Sequence, residues 1–255
     1  MKNRLVIIFL LMMLFLSGCK SDGENTRVVL TTGFSKNEIF RIENKSCTLP
    51  EVMVFLTNIQ NRYESVFGEE IWSASTDGMT LEEDVKDTVL AQLAQMKTMV
   101  LLAERNKVSL TGEEEEKAGQ AAADYYSTLN ETEKELFGVT QKDIENLYLE
   151  YALAEKVYDF IIKDINPEIS DIVETSYGYH IIKCISTFNR EETDANKVKI
   201  VEKRKEEVFG QEYEAFVTTL TRNLNEELWE SISLIHDDKV TTMDFFETYN
   251  KYFEK

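Results

Sequence analysis

The sequence predicts a mainly α-helical fold with a small β element, and three observations lead to that class. Only 2 prolines and 10 glycines occur in 255 residues, which leaves few turn signals for a many-stranded protein. Three Thr-x-x-Glu motifs each come directly before an apolar stripe with helical spacing. Runs typical of β-strands are confined to residues 27–42 and 178–186. We therefore expect a helical body that carries a short hairpin and one further strand.

The first part of the chain, residues 1–18, has the pattern of a lipoprotein signal peptide. Two cations, Lys2 and Arg4, come before an apolar stretch that is short for a permanent membrane span. That stretch ends in Leu-Ser-Gly-Cys, which resembles the lipobox of bacterial lipoproteins. The resemblance implies cleavage before Cys19 and lipid attachment there. Residues 19–26 would then tether the protein to the outer face of the bacterial cytoplasmic membrane.

The chain is strongly acidic, with a formal net charge of −19 at pH 7. Removal of the signal peptide would take away two cations and no acid, which lowers that charge to −21. Phosphate groups repel such a charge. Nucleic acid and anionic lipid surfaces are therefore not expected as partners.

The sequence contains no pattern typical of a metal, cofactor or nucleophile site. Its two histidines and three cysteines are widely scattered, and neither a glycine-rich phosphate loop nor a nucleophile elbow occurs. We therefore expect no metal and no cofactor. Export would permit a disulfide between Cys47 and Cys184, although two separate buried thiols fit their wide spacing better.

The N-terminal half, residues 27–167, predicts a loose hairpin followed by four amphipathic helices. The hairpin joins strands 27–32 and 38–42 through a Gly-Phe-Ser-Lys-Asn turn. Capping boxes at Thr48, Thr80 and Thr111 begin three helices, and a fourth begins near Thr140 and ends before Pro167. Each helix keeps one apolar face, which requires a core to cover it.

The C-terminal part, residues 191–255, predicts two more amphipathic helices. A long helix starts at Thr193 or Asp194 and continues to about Ile232, and a short one covers residues 242–253. Both present an apolar face that cannot stay in water. We expect them to pack on the N-terminal helices.

The stretch between these two parts carries a specific resemblance. It contains Glu-Ile-Ser-Asp at 168–171 and Tyr-Gly-Tyr-His-Ile-Ile-Lys at 177–183. With the lipobox before them and the long helix after them, these motifs resemble the extracytoplasmic foldases of the SurA and PrsA kind. The resemblance implies a helical chaperone lobe, built from both ends of the chain around an inserted parvulin prolyl-isomerase domain. Tyr-Gly-Tyr-His looks like the closing strand of that domain.

Most of the parvulin domain is missing from the sequence. Only five residues separate Asp171 from Tyr177, and they reach roughly 17 Å when extended, whereas such a domain needs on the order of 90 residues. Of the residues that the resemblance places in an isomerase pocket, only His180 has a match here. His236 lies beyond the long helix, and Cys184 follows His180 on the strand. The sequence therefore lacks the residues for a complete isomerase pocket.

We expect residues 168–190 to be a structural remnant of that domain. Rotation about a peptide bond has a barrier of roughly 18–20 kcal/mol. Its catalysis requires a pocket that binds the twisted amide, and one strand cannot form such a pocket. The alternating pattern of 178–186 predicts that this strand pairs with the hairpin at 27–42 and completes a three-stranded sheet. His180 would then be a packed or surface residue without a catalytic role.

The resulting hypothesis is a lipid-anchored extracytoplasmic chaperone that binds unfolded exported polypeptides and has no isomerase activity. Its chemistry would be the reversible burial of client side chains, which is worth roughly 1.5–3 kcal/mol for each large one. The candidate client-binding residues are Met and aromatic positions of the helical stripes, with core packing as the alternative for them: Met96, Met99, Tyr125, Tyr126, Tyr148, Phe216 and Phe246. Two other functions stay open, an active parvulin-type prolyl isomerase and a structural lipoprotein with one dedicated partner.

Overall fold

The computed structural model describes residues 33–76, 78–163, 174–175, 178–179 and 190–253. Within these residues the protein has eight α-helices and a small three-stranded antiparallel sheet. The predicted fold class, mainly α with a small β element, is confirmed. The signal peptide, the lipobox and the first predicted strand, 27–32, lie outside the described residues.

The N-terminal half begins with a β-hairpin and continues as helices. Its strands are β1 (Glu38–Ile42), β2 (Lys45–Thr48), β3 (Ser75–Thr76) and β4 (Met79–Thr80), with a 3₁₀ helix at Glu69–Ser73. Its helices are α1 (Leu49–Phe67), α2 (Leu81–Asn106), α3 (Gly112–Thr128), α4 (Glu131–Phe137) and α5 (Gln141–Ile162). The four predicted helices are present, and the short α4 is an addition that the sequence analysis did not identify.

Capping boxes determine where these helices begin. At α2, the Thr80 N–H donates to Glu83 Oε2 at 2.7 Å, and the Glu83 N–H donates to Thr80 Oγ1 at 3.2 Å. The same exchange joins Asn130 and Glu133 before α4, at 2.9 and 3.1 Å. Gly138 ends α4 in the left-handed region, with φ of 64°, which glycine adopts without strain. The extra helix therefore has both a start and a stop signal in the sequence.

The C-terminal half contains one long helix and several short elements. They are β5 (Glu174–Thr175), β6 (Gly178–Tyr179), α6 (Arg190–Val217), β7 (Arg222–Leu224), α7 (Glu226–Glu230) and α8 (Phe245–Phe253). The prediction that the long helix continues to about Ile232 is wrong, because α6 ends at Val217. The hydroxyl groups of Thr218 and Thr219 donate to main-chain carbonyls of the last helical turn, at 2.9 and 2.7 Å, and so favour a turn over further helix.

The three-stranded sheet has the strand order β2-β1-β7, so β1 is the central strand. The predicted pairing of 27–32 with 38–42 in a hairpin is wrong, because β2 and β7 occupy both edges of β1. The hairpin joins β1 to β2 instead, through a tight turn in which Glu43 has φ of 51°. On its other edge β1 pairs with β7, with Phe40 opposite Leu224. Ile39 is fully buried, which fixes the sheet against the helices.

The prediction that 178–186 supplies the third strand is wrong. The edge of β1 is occupied by Arg222–Leu224, and Gly178–Tyr179 pairs with Glu174–Thr175 in a separate two-stranded sheet. Residues 180–186 lie outside the described residues. The Thr-rich turn after Val217 reverses the chain next to β1. The segment that follows α6 therefore lies at the edge of β1 and pairs with it.

Both ends of the chain contribute to one hydrophobic core. Helix α6 packs on α2 and α5, and α8 packs on α1 and α3. Phe245 of α8 lies between two helices, because its ring stacks on Tyr148 of α5 at 4.6 Å and meets Tyr125 of α3 edge-on at 5.2 Å. The C-terminal helices thus lie on the N-terminal ones, where their apolar faces are covered.

Candidate functional site

A groove of about 570 Å³ lies between the C-terminal ends of α2 and α5 and the second half of α6. It is lined by Asn106, Phe160, Ile161, Lys163, Val208, Gln211 and Glu212. We call this surface the α5–α6 groove. It lies at the C-terminal end of α5.

The helical period of α6 determines which residues face this groove. Phe209 is buried, and its ring meets Tyr158 of α5 edge-on at 4.8 Å and stacks on Tyr213 at 5.8 Å. Val208, one position earlier, lines the groove instead. In this part of α6, an aromatic face thus packs on α5, and the neighbouring position lines the groove.

Two apolar side chains of the groove are exposed to solvent. Phe160 is 38% exposed and Val208 is 37% exposed. The Lys163 ammonium lies 4.2 Å from the centre of the Phe160 ring, in the geometry of a cation–π contact. Apolar side chains exposed on a concave surface are typical of sites that bind apolar groups of a partner.

Charged side chains surround this apolar centre. Arg105 pairs with Glu212 across the groove wall at 3.4 Å. Burial raises the pKa of the Tyr158 hydroxyl beside the groove, and the carboxylates of Glu202 and Glu206 raise it further. The charged side chains at the groove itself are of both signs, Lys163 and Arg105 against Glu212.

The seven predicted client-binding residues do not form one exposed surface. Five of them are core residues with at most 8% exposure: Met96, Met99, Tyr125, Tyr148 and Phe216. Tyr126 and Phe246 are half-buried, and the Lys134 ammonium lies 5.0 Å from the ring of Tyr126. The helical stripes that carry the five face inward, so these side chains cannot contact a client in this conformation.

The motif that resembles the parvulin closing strand has its first two strand residues, Gly178–Tyr179, in the described part of the chain. They pair with Glu174–Thr175, immediately before them. The parvulin-matching candidate His180, the thiol of Cys184 and the lipidation candidate Cys19 lie outside the described residues. The described part of the motif is thus a local hairpin.

A buried charged cluster joins three helices of the lobe. The Lys97 side chain of α2 is 3% exposed. Its ammonium donates to Glu51 Oε1 of α1 and to Glu150 Oε2 of α5, each at 2.6 Å. Burial alone would lower the pKa of Lys97, but the two carboxylates outweigh it and raise that pKa to about 12. Burial raises the pKa of Glu150 and of the neighbouring Cys47 thiol. One buried ammonium thus pairs with two carboxylates from α1 and α5, so removal of the ammonium would leave buried charge without a partner.

The sequence carries one signal of this cluster. Lys97 lies four residues after Leu93 and three before Val100, on the apolar stripe of α2, where a lysine requires a buried partner. Glu51 is explained in the sequence by its role in the capping box of α1, yet its carboxylate both caps that helix and pairs with Lys97. Its Oε2 accepts from the Thr48 N–H at 2.6 Å while its Oε1 accepts from Lys97.

No family model, curated protein or solved structure matches the chain. Within the described residues, no helix combines the length and the apolar character that a membrane crossing requires. The same residues contain no group of three or more His, Cys, Asp or Glu side chains that could hold a metal ion.

Proposed function

We propose that this protein is a membrane-anchored extracytoplasmic holdase that binds unfolded exported polypeptides through the α5–α6 groove. The observation that carries the proposal is the exposure of Phe160 and Val208 on one concave surface. The lobe around the groove is built from both ends of the chain, which is the arrangement that the resemblance to SurA and PrsA foldases implies. A lipid anchor at Cys19 would hold this groove close to the membrane from which exported chains emerge.

The groove has the size and chemistry for weak, reversible binding. Its volume of about 570 Å³ lies within the range of roughly 300–1,000 Å³ that is usual for ligand sites. Each large apolar side chain of a client gains roughly 1.5–3 kcal/mol when it is fully buried. A few such contacts bind many different sequences and release them again.

The proposal includes no isomerase activity, and the short connection between α5 and α6 supports that part. Roughly 27 residues lie between Ile162 and Arg190, against on the order of 90 in a complete domain of that size class. Of these residues, Gly178–Tyr179 pairs with the strand just before it. A pocket for a twisted amide needs walls from several elements, which this connection is too short to supply.

Suppression of client aggregation tests the proposal. Light scattering of reduced, unfolding α-lactalbumin is followed with the lipid-free mature chain, with a Phe160→Ser/Val208→Ser variant, and with a Val66→Ser/Leu136→Ser control. The control removes side chains that are more exposed, 68% and 47%, and that do not line the groove. The groove variant is expected to need at least about tenfold more protein for the same suppression, because it loses two apolar contacts, and the control is expected to match the wild type.

Three results would contradict the holdase proposal. Equal activity of the groove variant and the wild type would place client binding elsewhere. Acceleration of a refolding reaction that is limited by proline isomerisation would restore the isomerase alternative. Failure to suppress aggregation of several unrelated clients would favour a structural lipoprotein with one dedicated partner.

A further inference from the structure

The chain between α7 and α8, residues 231–244, forms neither helix nor strand. We call it the strap. Its first residues alternate in burial, because Ile232 and Leu234 are each 5% exposed whereas Ser231 and Ser233 are exposed. A burial period of two is that of an extended chain lying on a surface.

Helix α1 holds the strap by its main chain. The Gln60 side-chain amide donates to the Ile235 carbonyl at 2.7 Å and accepts from the Ile235 N–H at 3.0 Å, as a neighbouring strand would. Asn61 donates to the carbonyls of Val240 and Thr242, at 3.2 and 2.8 Å. These contacts involve peptide groups, and none of them involves a side chain of the strap.

Helices α2 and α4 add contacts of the same kind. Glu133 Oε1 accepts from the main-chain N–H groups of Thr241 and Thr242, each at 2.8 Å. Asn130, the N-cap of α4, donates to a strap carbonyl at 2.8 Å. The Lys86 ammonium of α2 donates to the Ile232 carbonyl. The strap cleft is thus formed by five polar side chains, Gln60, Asn61, Lys86, Asn130 and Glu133.

The burial of these side chains shows what the cleft requires. Gln60 is fully buried, Glu133 is 2% exposed and Asn61 is 9% exposed. A buried polar group that loses its partner is strongly unfavourable, so the cleft needs a polypeptide main chain along it. Recognition through peptide groups is independent of sequence, while alternate side chains select by apolar character.

We propose that the strap cleft is a second polypeptide-binding site, which takes extended client segments with apolar residues at alternate positions, and that the strap is its intramolecular occupant. Alternation of this kind is typical of strands with one buried face. Unfolded exported chains that will form half-buried sheets are therefore the expected class of ligand. This inference goes beyond the proposed function, because the cleft lies apart from the α5–α6 groove in its lining residues and can bind whether or not that groove does.

The strap competes with any such client because it is tethered at both ends. A short flexible tether gives an effective concentration in the millimolar range, so a free peptide at micromolar concentration displaces the strap poorly. Within the strap and to the end of α7, the main chain makes few hydrogen bonds: the Ile232 N–H donates to Trp229 and the Val240 N–H donates to Asp237. A client that takes the place of the strap must therefore replace chiefly its bonds to the five cleft side chains, while Phe245 keeps α8 in the core.

Binding of a labelled strap peptide to the full mature chain tests the inference. The probe is a synthetic peptide of residues 230–242, and fluorescence anisotropy measures its affinity. One control peptide carries Ile232→Ser and Leu234→Ser, which removes the alternate apolar side chains. The other is N-methylated at the Ile235 amide, which removes the N–H that Gln60 accepts. Both controls are expected to bind at least about tenfold more weakly than the probe.

Two protein variants weaken the strap in place. Ile232→Ser/Leu234→Ser removes its anchors, and Ser231→Ala/Ser233→Ala is the matched control at exposed strap positions. The anchor variant is expected to bind the probe at least about tenfold more tightly than the wild type, because its competitor is weakened. Val240→Ser, which removes one buried side chain of the strap and leaves the cleft side chains unchanged, is the second variant, with the same direction, for the case that the anchor variant does not fold.

Addition of Gln60→Leu to either strap variant is expected to abolish binding of the probe. If a folded strap variant binds the probe with no higher affinity than it binds the N-methylated peptide, the inference is overturned. The strap would then be a fixed part of the core. The Phe160→Ser/Val208→Ser groove variant is expected to keep its peptide affinity. Failure of the cleft and failure of the groove are therefore distinguished by different variants.

Discussion

Replacement of Lys97 by methionine should destabilise the lobe strongly. In the folded protein this ammonium is the shared partner of the Glu51 and Glu150 carboxylates, with both bonds at 2.6 Å. Methionine matches the length of the lysine stem and fits a buried position without the charge. The change leaves two carboxylates within a few ångströms of one another in a largely buried site. Uncompensated buried charge of this kind is destabilising by about 3–5 kcal/mol.

The structure places the expected value near the lower end of that range, at about 3 kcal/mol. The Glu150 side chain is 23% exposed, so water relieves part of the penalty, whereas Glu51 is 11% exposed and is also fixed by its capping role. Urea denaturation followed by circular dichroism at 222 nm measures the loss of unfolding free energy, as is usual for a helical protein. Lys142→Met is the matched control, because that lysine is 65% exposed and pairs only within α5, with Glu145.

The pH dependence of the Lys97→Met variant gives a second, independent readout. The remaining carboxyl pair can relieve its repulsion by binding a proton, so the stability of the variant should rise as the pH falls from about 8 to about 5. The slope should approach about 1.4 kcal/mol per pH unit for one proton. In the wild type burial already raises the pKa of Glu150 above its ordinary value, so the same sign is expected with a smaller slope.

Rescue separates charge from packing. Lys97→Met combined with Glu51→Gln and Glu150→Gln should recover most of the lost stability, because no buried charge is left. A Lys97→Met variant within about 1 kcal/mol of the wild type at pH 7.5, or a variant with no pH dependence, would refute the reasoning. It would mean that the two carboxylates reach water when the lysine is absent.

Three further predictions concern single contacts. Burial alone would raise the pKa of Glu38, but hydrogen bonds, chiefly from Arg41, lower it to about 2. The stability from this carboxylate is therefore complete above pH 4.5 and is lost as the pH falls toward 2. Glu38→Gln should lower the unfolding free energy by about 2 kcal/mol at pH 7, a value discounted because Arg41 is partly exposed. The unfolding free energy from urea denaturation should then fall less steeply between pH 4.5 and pH 2 than in the wild type, and an unchanged slope would contradict this. Tyr148→Phe should lower the unfolding free energy by about 1–2 kcal/mol in the same assay, because it leaves the buried Phe245 carbonyl without its 2.7 Å donor, and a neutral effect would show that water replaces the hydroxyl. The Cys47 thiol is fully buried with a raised pKa, so mass spectrometry should find it alkylated at least about 100-fold more slowly in the native protein than in urea; rapid native labelling would show that β2 opens locally.

The starts of the helices could be predicted from the sequence because their signals are local. Thr48, Thr80, Thr111 and Thr140 each cap the helix that the following apolar stripe predicts. The short helix after Asn130 carries the same reciprocal bonds and was missed because its cap is an asparagine. Local rules of capping and periodicity therefore account for most of the helical fold.

The partners of the strands could not be predicted in the same way. Arg222–Leu224 has no strong strand pattern, and it becomes a strand because β1 offers it an open edge directly after the turn that ends α6. The run at 178–186 has the better pattern, and its first residues pair with Glu174–Thr175. Strand pairing depends on which edge is near, which is a tertiary property.

The candidate sites show the same division. The Met and aromatic stripes indicate the core rather than a client-binding surface, and Met96 and Tyr148 lie in that core. The α5–α6 groove depends on how α6 crosses α5, and no local pattern encodes that crossing. The strap cleft could not be predicted either. In the sequence Gln60 and Asn61 are ordinary polar residues of α1, and only the fold places the strap across them.

Site-specific photo-crosslinking tests most directly whether unfolded clients occupy the α5–α6 groove. A photoreactive residue replaces Gln211, which lines the groove, and in a control it replaces Lys142, which lies on the outer surface of α5. Each protein is mixed with reduced α-lactalbumin and, separately, with its native form, then irradiated. The holdase account predicts crosslinks from the Gln211 position to the unfolded client alone, and few from the Lys142 position. Equal yields at the two positions, or crosslinks to the native client, would contradict it.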